Sequence, residues 1–305
     1  TSIQTVLGPI DTSKLGQTLS HEHVIVSSGG IPQIYPEFIR RDESIKKGIA
    51  RLSEAKKEGV DTIVDVTTLD LGRDIRLIET VSRESGVNII CATGTWRDIP
   101  RAFWNSTPDA VASLYIREIN EGIEGTGIKA GIIKVANKGG VTREGEVILR
   151  AAARASKSTN TPISAHTWAP EVGEQQIRIF EDEKVDLNKV YIGHSNDTTD
   201  VFYLEGLMDK GAWVGLDRYG EIGTPKWEER TETLMKLIYD GYGKKVMIGH
   251  DSVTLNIASD SSRNKYNPDD YLFIHRKVIP YLKKLGATNE QIDDILIYNP
   301  KRFFE

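Results

Sequence analysis

The chain has 305 residues, 39% of them hydrophobic and 27% charged, which is enough to bury a large core and too apolar for a disordered segment. Its net charge of −5 gives no general attraction to nucleic acid or to an anionic membrane, and no apolar run reaches the roughly 18 residues that a membrane span needs. The single cysteine, Cys91, excludes an internal disulfide framework and a cysteine-rich zinc site, and its apolar neighbours make it a small core residue.

The start, Thr1-Ser2-Ile3-Gln4, shows neither an initiator methionine nor a signal peptide. The compartment therefore stays open: cytoplasmic is the expectation, and periplasmic if a leader has been removed. The first predicted strand covers 19–26 and carries His21 and His23 two positions apart among apolar residues. Side chains alternate along a strand, so both imidazoles point one way and Glu22 the other, a spacing that lets two rings grip one metal ion. Pro36-Glu37-Phe38 falls in a loop on the same side. A helix is expected over 44–57, with Ser44 as its N-cap.

Strands and helices then alternate without a break. Strands are predicted at 62–67, 87–94, 130–135, 161–166, 190–194, 212–217 and 245–251. Helices are predicted at 74–84, 108–122, 144–157, 174–183, 200–210, 227–240 and 269–285. Eight all-apolar strands, each followed by a helical pattern, favour a closed parallel (β/α)8 TIM barrel, and the absence of a linker favours one domain over 1–305.

Five of the six histidines, His21, His23, His166, His194 and His250, fall in or at the ends of predicted strands, and only His275 lies in a helix. Strand ends of such a barrel converge on one mouth, where the chemistry sits. Lys134, inside an apolar strand, is expensive to bury charged; a neutral amine there can take up CO2 and become an anionic bidentate ligand.

These stretches resemble the phosphotriesterase family of the amidohydrolase superfamily over nearly the full length. The matching residues are Ser20-His21-Glu22-His23, Gly131-Ile132-Ile133-Lys134-Val135, Ala165-His166-Thr167, Ile192-Gly193-His194-Ser195, Gly215-Leu216-Asp217-Arg218-Tyr219-Gly220 and Gly249-His250-Asp251, with Leu71-Gly72-Arg73-Asp74 after the second strand. The resemblance implies a two-metal hydrolase: His21, His23 and Asp251 on the more buried ion, His166 and His194 on the more exposed one, and carboxylated Lys134 with a hydroxide bridging both. Zinc is the expected metal, with cobalt, manganese or iron as alternatives. Asp251 would accept the attacking water's proton, Asp197 resembles the family's relay carboxylate, and a homodimer is implied.

For the substrate the resemblance points two ways. Arg218-Tyr219 and the short segment to Trp227 look like the lactonases of the family, which open acyl-homoserine lactones and hydrolyse phosphotriesters as a side activity. Trp96, Ser27-Ser28-Gly29-Gly30 and Pro36-Glu37-Phe38 look closer to the dedicated phosphotriesterases. Trp96, Arg218 and Tyr219 are expected to shape the pocket, with Arg218 alternatively a structural partner for Asp197. The expectation is thus a small-molecule hydrolase opening lactones and cleaving organophosphate triesters, a dedicated phosphotriesterase being the alternative and a non-catalytic binding barrel the third reading.

Overall fold

The β-branched runs form eight parallel strands that nearly close on themselves, seen in a computed structural model that describes residues 1–168, 171–256 and 267–305. The strands are β1 (Thr18–Glu22), β2 (Thr62–Asp65), β3 (Asn88–Gly94), β4 (Ile132–Ala136), β5 (Ile163–His166), β6 (Val190–Ile192), β7 (Trp213–Leu216) and β8 (Val246–Ile248). They pair in chain order. Beyond β8, Asp251 N–H donates to His21 C=O at 3.0 Å and His23 N–H to Ser252 C=O at 2.9 Å, tying the last strand's exit to the first strand. The fold is the (β/α)8 TIM barrel that the sequence predicts.

Alternation explains why every strand reads as apolar. Val64, Ile90, Ile132, Tyr191 and Met247 point into the lumen, while Ile63, Ile89, Ile133, Ile163, Ile192, Val214 and Ile248 point outward onto the helices. Those helices are α1 (Arg41–Lys57), α2 (Ile75–Ser85), α3 (Pro108–Asn120), α4 (Arg143–Thr159), α5 (Glu171–Asp182), α6 (Val201–Asp209), α7 (Trp227–Tyr239) and α8 (Ile279–Lys284). Cys91 is buried among them, and burial pushes its thiol up to about 12, in keeping with a packing role. Among the described residues no helix is long and apolar enough to cross a membrane.

One element was not predicted, and two local expectations need correction. A hairpin of Ser2–Thr5 and Gly8–Asp11 precedes the barrel, and its Ile3 joins Phe303 and Phe304 in closing the lumen's far end. α1 starts three residues before Ser44, whose hydroxyl donates back to Ile39 C=O at 2.8 Å instead of capping. The helix expected at 269–285 is broken into a short turn at Asp270–Leu272, a wide π-type turn at Ile274–Val278, and α8. Pro280, near the start of α8, lacks the N–H that would bond Arg276 C=O, and its ring crowds that carbonyl, so the turn before it widens. The same pattern recurs at Asp294–Tyr298, ahead of Pro300 in the terminal helix Asn299–Phe304.

Candidate active site

The mouth of the barrel is built from residues at strand ends, and β1 supplies them in an unexpected way. Its pairing with β2 runs Leu19 to Ile63 and then Glu22 to Asp65, so β1 holds one extra residue. Such a bulge makes Ser20 and His21 both face the lumen, with Glu22 outward and His23 inward again. Ser20 lies 2.8 Å from Tyr191 OH inside the barrel, and His21 lies just above it. Glu22 turns out to meet His250, accepting its backbone N–H at 2.9 Å and facing its Nδ1 at 2.8 Å.

His250 is therefore the histidine that does not join the cluster, and the expected convergence of all five is corrected. Parity gives the reason: Met247 faces the lumen, Ile248 the helices, and His250 shares the outward side with Ile248. There its Nε2 accepts the Ile274 N–H at 3.0 Å, and burial drives it down to about 3, so it stays neutral.

The remaining groups converge. His21 Nε2 and His23 Nε2 each lie 3.1 Å from Asp251 Oδ1. His194 Nε2 lies 2.8 Å from His166 Nδ1 and 3.8 Å from Asp251 Oδ2. Lys134 Nζ, fully buried, comes within 3.4 Å of His21 Nε2. His194 and Asp251 reach this point only by adopting left-handed backbone, φ 55° and 54°, a conformation of the kind that costs about 1–3 kcal/mol where it is strained and concentrates at functional sites. Gly94, at φ 105°, lets β3 pass so close to the Lys134 backbone that a Cβ would collide with it.

The donor set fits divalent metal. Imidazole nitrogens with a carboxylate suit zinc and its neighbours, and His21, His23 and Asp251 offer three such atoms within 4.8 Å of one another. The rings are held by their far nitrogens, as metal-ligating histidines are. His23 Nδ1 lies 2.7 Å from Thr67 Oγ1, while Asp217 hydrogen-bonds His194 Nδ1 at 2.8 Å and places its other oxygen 3.1 Å from His21 Nδ1. A second close grouping, His21, His194 and Asp217, is better explained as this support. Both Asp217 oxygens are already engaged, since it also accepts the His194 N–H at 2.7 Å and the Tyr191 hydroxyl at 2.8 Å. Tyr191 reaches it because Gly215 has no side chain where the tyrosine ring lies.

Protonation states suit the same reading. Burial lowers Lys134 to about 8, leaving a useful fraction of neutral amine near neutral pH. Burial, together with neighbouring positive charge, holds His166 well below its ordinary value and His194 at about 4, so both stay neutral. Burial alone would raise Asp251, but His21 and His23 outweigh it and keep the carboxylate ionised.

Trp96 lines the cavity, its ring edge-on to His166 with centroids 6.3 Å apart, and its backbone N–H donates to Asp70 Oδ1 at 2.9 Å. Arg218 lines it too. Its guanidinium spans Asp251 (Nε to Oδ2, 3.6 Å), Asp197 (3.8 Å) and Glu221 (3.0 Å). Burial works against its charge, but these carboxylates keep it firmly protonated. Two expectations are corrected here. Tyr219 does not reach the pocket: it is fully buried, with its hydroxyl 3.1 Å from Thr231 Oγ1, because the chain turns it behind Arg218 toward α7. Asp197 is held by Arg230 at 3.1 Å and by Arg218. The side chain found between it and Asp251 is a guanidinium, which does not release a proton and so breaks a relay.

Sequence reasoning missed Asp217, Glu221, Arg97, Lys138 and Trp168, the last four of which line the same cavity of about 500 Å3. Lys138 continues the inward parity of Lys134, and Trp168 that of His166, so alternation carried past the strand ends would have found both.

Comparison with known proteins agrees with this picture. The sequence profile of the phosphotriesterase family matches residues 1–304. A phosphotriesterase homology protein of Mycobacterium tuberculosis is 41% identical over 317 residues, covering 99% of this chain and 97% of its own. An aryldialkylphosphatase of Saccharolobus solfataricus is 39% identical over 305 residues, 97% and 96% of the two chains. An N-acetyltaurine hydrolase of Salmo salar is 26% identical over 346 residues, 99% and 97% of the two.

Proposed function

The chain belongs to the phosphotriesterase family, and from that premise we propose that it is a two-metal hydrolase of neutral esters, opening lactones such as acyl-homoserine lactones and cleaving phosphotriesters in one pocket. The observation that carries this reading is the convergence of four imidazoles, Lys134 and Asp251 on one cavity at the barrel mouth. His21, His23 and Asp251 would hold one divalent ion and His166 and His194 the other, with Lys134 joining them as its carbamate; zinc is the expected metal, and cobalt, manganese or iron fit the same donors. When bound, the two ions supply Lewis acidity, activating water and drawing charge from a carbonyl or phosphoryl oxygen.

The chain's own residues supply the rest. Asp251 is ionised and has its Oδ2 turned toward Arg218, away from His21 and His23, which leaves that oxygen to accept a proton from the attacking water. Arg218 and Asp197 act as positioning residues, the guanidinium fixing Asp251 from one side and being fixed by Asp197 and Glu221 from the other. Trp96, Trp168 and Leu71 give the pocket apolar walls for the acyl or aryl portion of a substrate. A carbonyl ester and a phosphotriester each offer one polarisable oxygen and one leaving oxygen, so the same groups serve both.

Trp96 and the aryldialkylphosphatase relative favour a second reading, in which phosphotriester cleavage is the main activity. The reading also takes residues 1–305 as one domain and the working unit as a homodimer, for which the exposed Ile34, Tyr35, Phe38 and Trp104 offer apolar contact. The test is a paired assay of lactone opening and paraoxon hydrolysis on one preparation with its metal quantified. A kcat/KM higher for a homoserine lactone or dihydrocoumarin supports the first reading, one higher for paraoxon selects the second, and no turnover of either sinks both.

A further inference from the structure

The pocket's outer wall carries two cations that ester hydrolysis leaves unused. Arg97 lies over the ring of Trp96, 4.3 Å from its centroid, and Lys138 over Trp168, 5.0 Å from its centroid. All four residues line the cavity that holds the imidazoles. An aromatic face restrains a cation without neutralising it, so each ring keeps a full positive charge at the mouth. Arg218, lining the same cavity, is answered by Glu221, Asp197 and Asp251. Arg97 and Lys138 have no carboxylate partner among the described residues.

On a chain of net charge −5, two cations with no carboxylate partner among the described residues stand out at the entrance to the site. A cleft lined in this way focuses its field and draws anions in. Position narrows the ligand further. Trp96 meets His166 edge-on and carries Arg97 over its ring face, and Arg97 is exposed where His166 is buried, so the cation stands outward of the imidazole cluster. A group bound by Arg97 therefore belongs to the end of the substrate remote from the bond being cut. Arg97 offers a planar fork and Lys138 a mobile point charge, a combination suited to a carboxylate.

We infer that Arg97 and Lys138 form an anion subsite at the pocket mouth, which takes a carboxylate carried on the substrate's end remote from the scissile ester. The inference rests on the hydrolase reading and sharpens it: the group cut is neutral, and the group recognised at the rim is anionic.

The test uses two esters that differ at one end, 4-nitrophenyl hexanoate and mono(4-nitrophenyl) adipate, in which a terminal carboxylate replaces the methyl. In metal-loaded protein, the ratio of kcat/KM for the adipate over the hexanoate ester should fall on the order of tenfold in the Arg97→Gln/Lys138→Gln double variant, the effect of losing charge-assisted contacts at a partly exposed site. The same ratio should shrink in wild-type protein as salt is raised to about 0.5 M. A second readout needs no turnover: tryptophan fluorescence of metal-free protein, titrated with monomethyl adipate, should change saturably in the wild type and not in the double variant. If neither ester is cleaved but the titration behaves so, the subsite stands and the hydrolase reading falls. If the hexanoate ester is cleaved and the ratio ignores both substitutions, the subsite falls and the hydrolase reading stands.

Discussion

Asp217 sits beneath the imidazoles, accepting from His194 and Tyr191 and lying 3.1 Å from His21 Nδ1, so its charge bears on rings that belong to both proposed ion positions. The Asp217→Asn substitution keeps the shape but turns one acceptor into a donor facing these N–H and O–H groups. Metal affinity, read by competition with a chromophoric chelator, should fall about 10- to 100-fold, as it does when the partner of a ligating histidine is lost. An unchanged affinity would mean that the two rings are held by packing alone. The sequence displays Asp217 within a family-like stretch but not its role, because the role comes from Gly215 and Tyr191, which bring a hydroxyl up to it from a neighbouring strand. Strand parity made His23 and His166 legible, whereas His21 reaches the cluster through the β1 bulge and His194 through its left-handed backbone, neither of which parity shows. His250 falls at a strand end like the others, and only parity, which puts it on the side of Ile248, separates it from them.

Elements place these residues, and the loop after β2 shows how. Arg73 donates to Ala92 C=O at 2.9 Å and forks onto Glu118 of α3 at 3.0 and 2.6 Å, both side chains being buried, while Thr93 donates to the same carboxylate at 2.7 Å. This clamp ties the β2–α2 loop to β3 and α3 just below the segment that carries Trp96. The Arg73→Met substitution strands a buried carboxylate and should cost roughly 3–5 kcal/mol in denaturant unfolding, most of it recovered by adding Glu118→Leu. Equal losses in the single and double variants would show that the arginine acts by its volume and not by its charge. Strands and helices were read from periodicity with ends shifted by a few residues, but two features escaped. The β1 bulge leaves no mark on composition, and the broken final helix followed from Pro280, whose effect falls on the turn before it.

Taken as a whole, the molecule separates its tasks by position. Apolar side chains fill the lumen's middle, aromatic residues of the terminal helix close one end, and every titratable group of the proposed chemistry gathers at the other. The architecture was legible because eight alternating units leave few ways to bury eight apolar strands. The pocket's rim was legible only in part: Lys138 and Trp168 continue the inward alternation of their strands, but Arg97 lies in a loop whose course depends on the assembled barrel. The central claim is that the four imidazoles, Lys134 and Asp251 form one two-metal centre. Elemental analysis of the purified chain after dialysis against zinc tests it most directly, with His166→Ala and Asp251→Asn prepared alongside. The account predicts about two ions per wild-type chain and a clear loss in each variant. A wild-type chain that retains no metal, or variants that retain as much as it does, would contradict it.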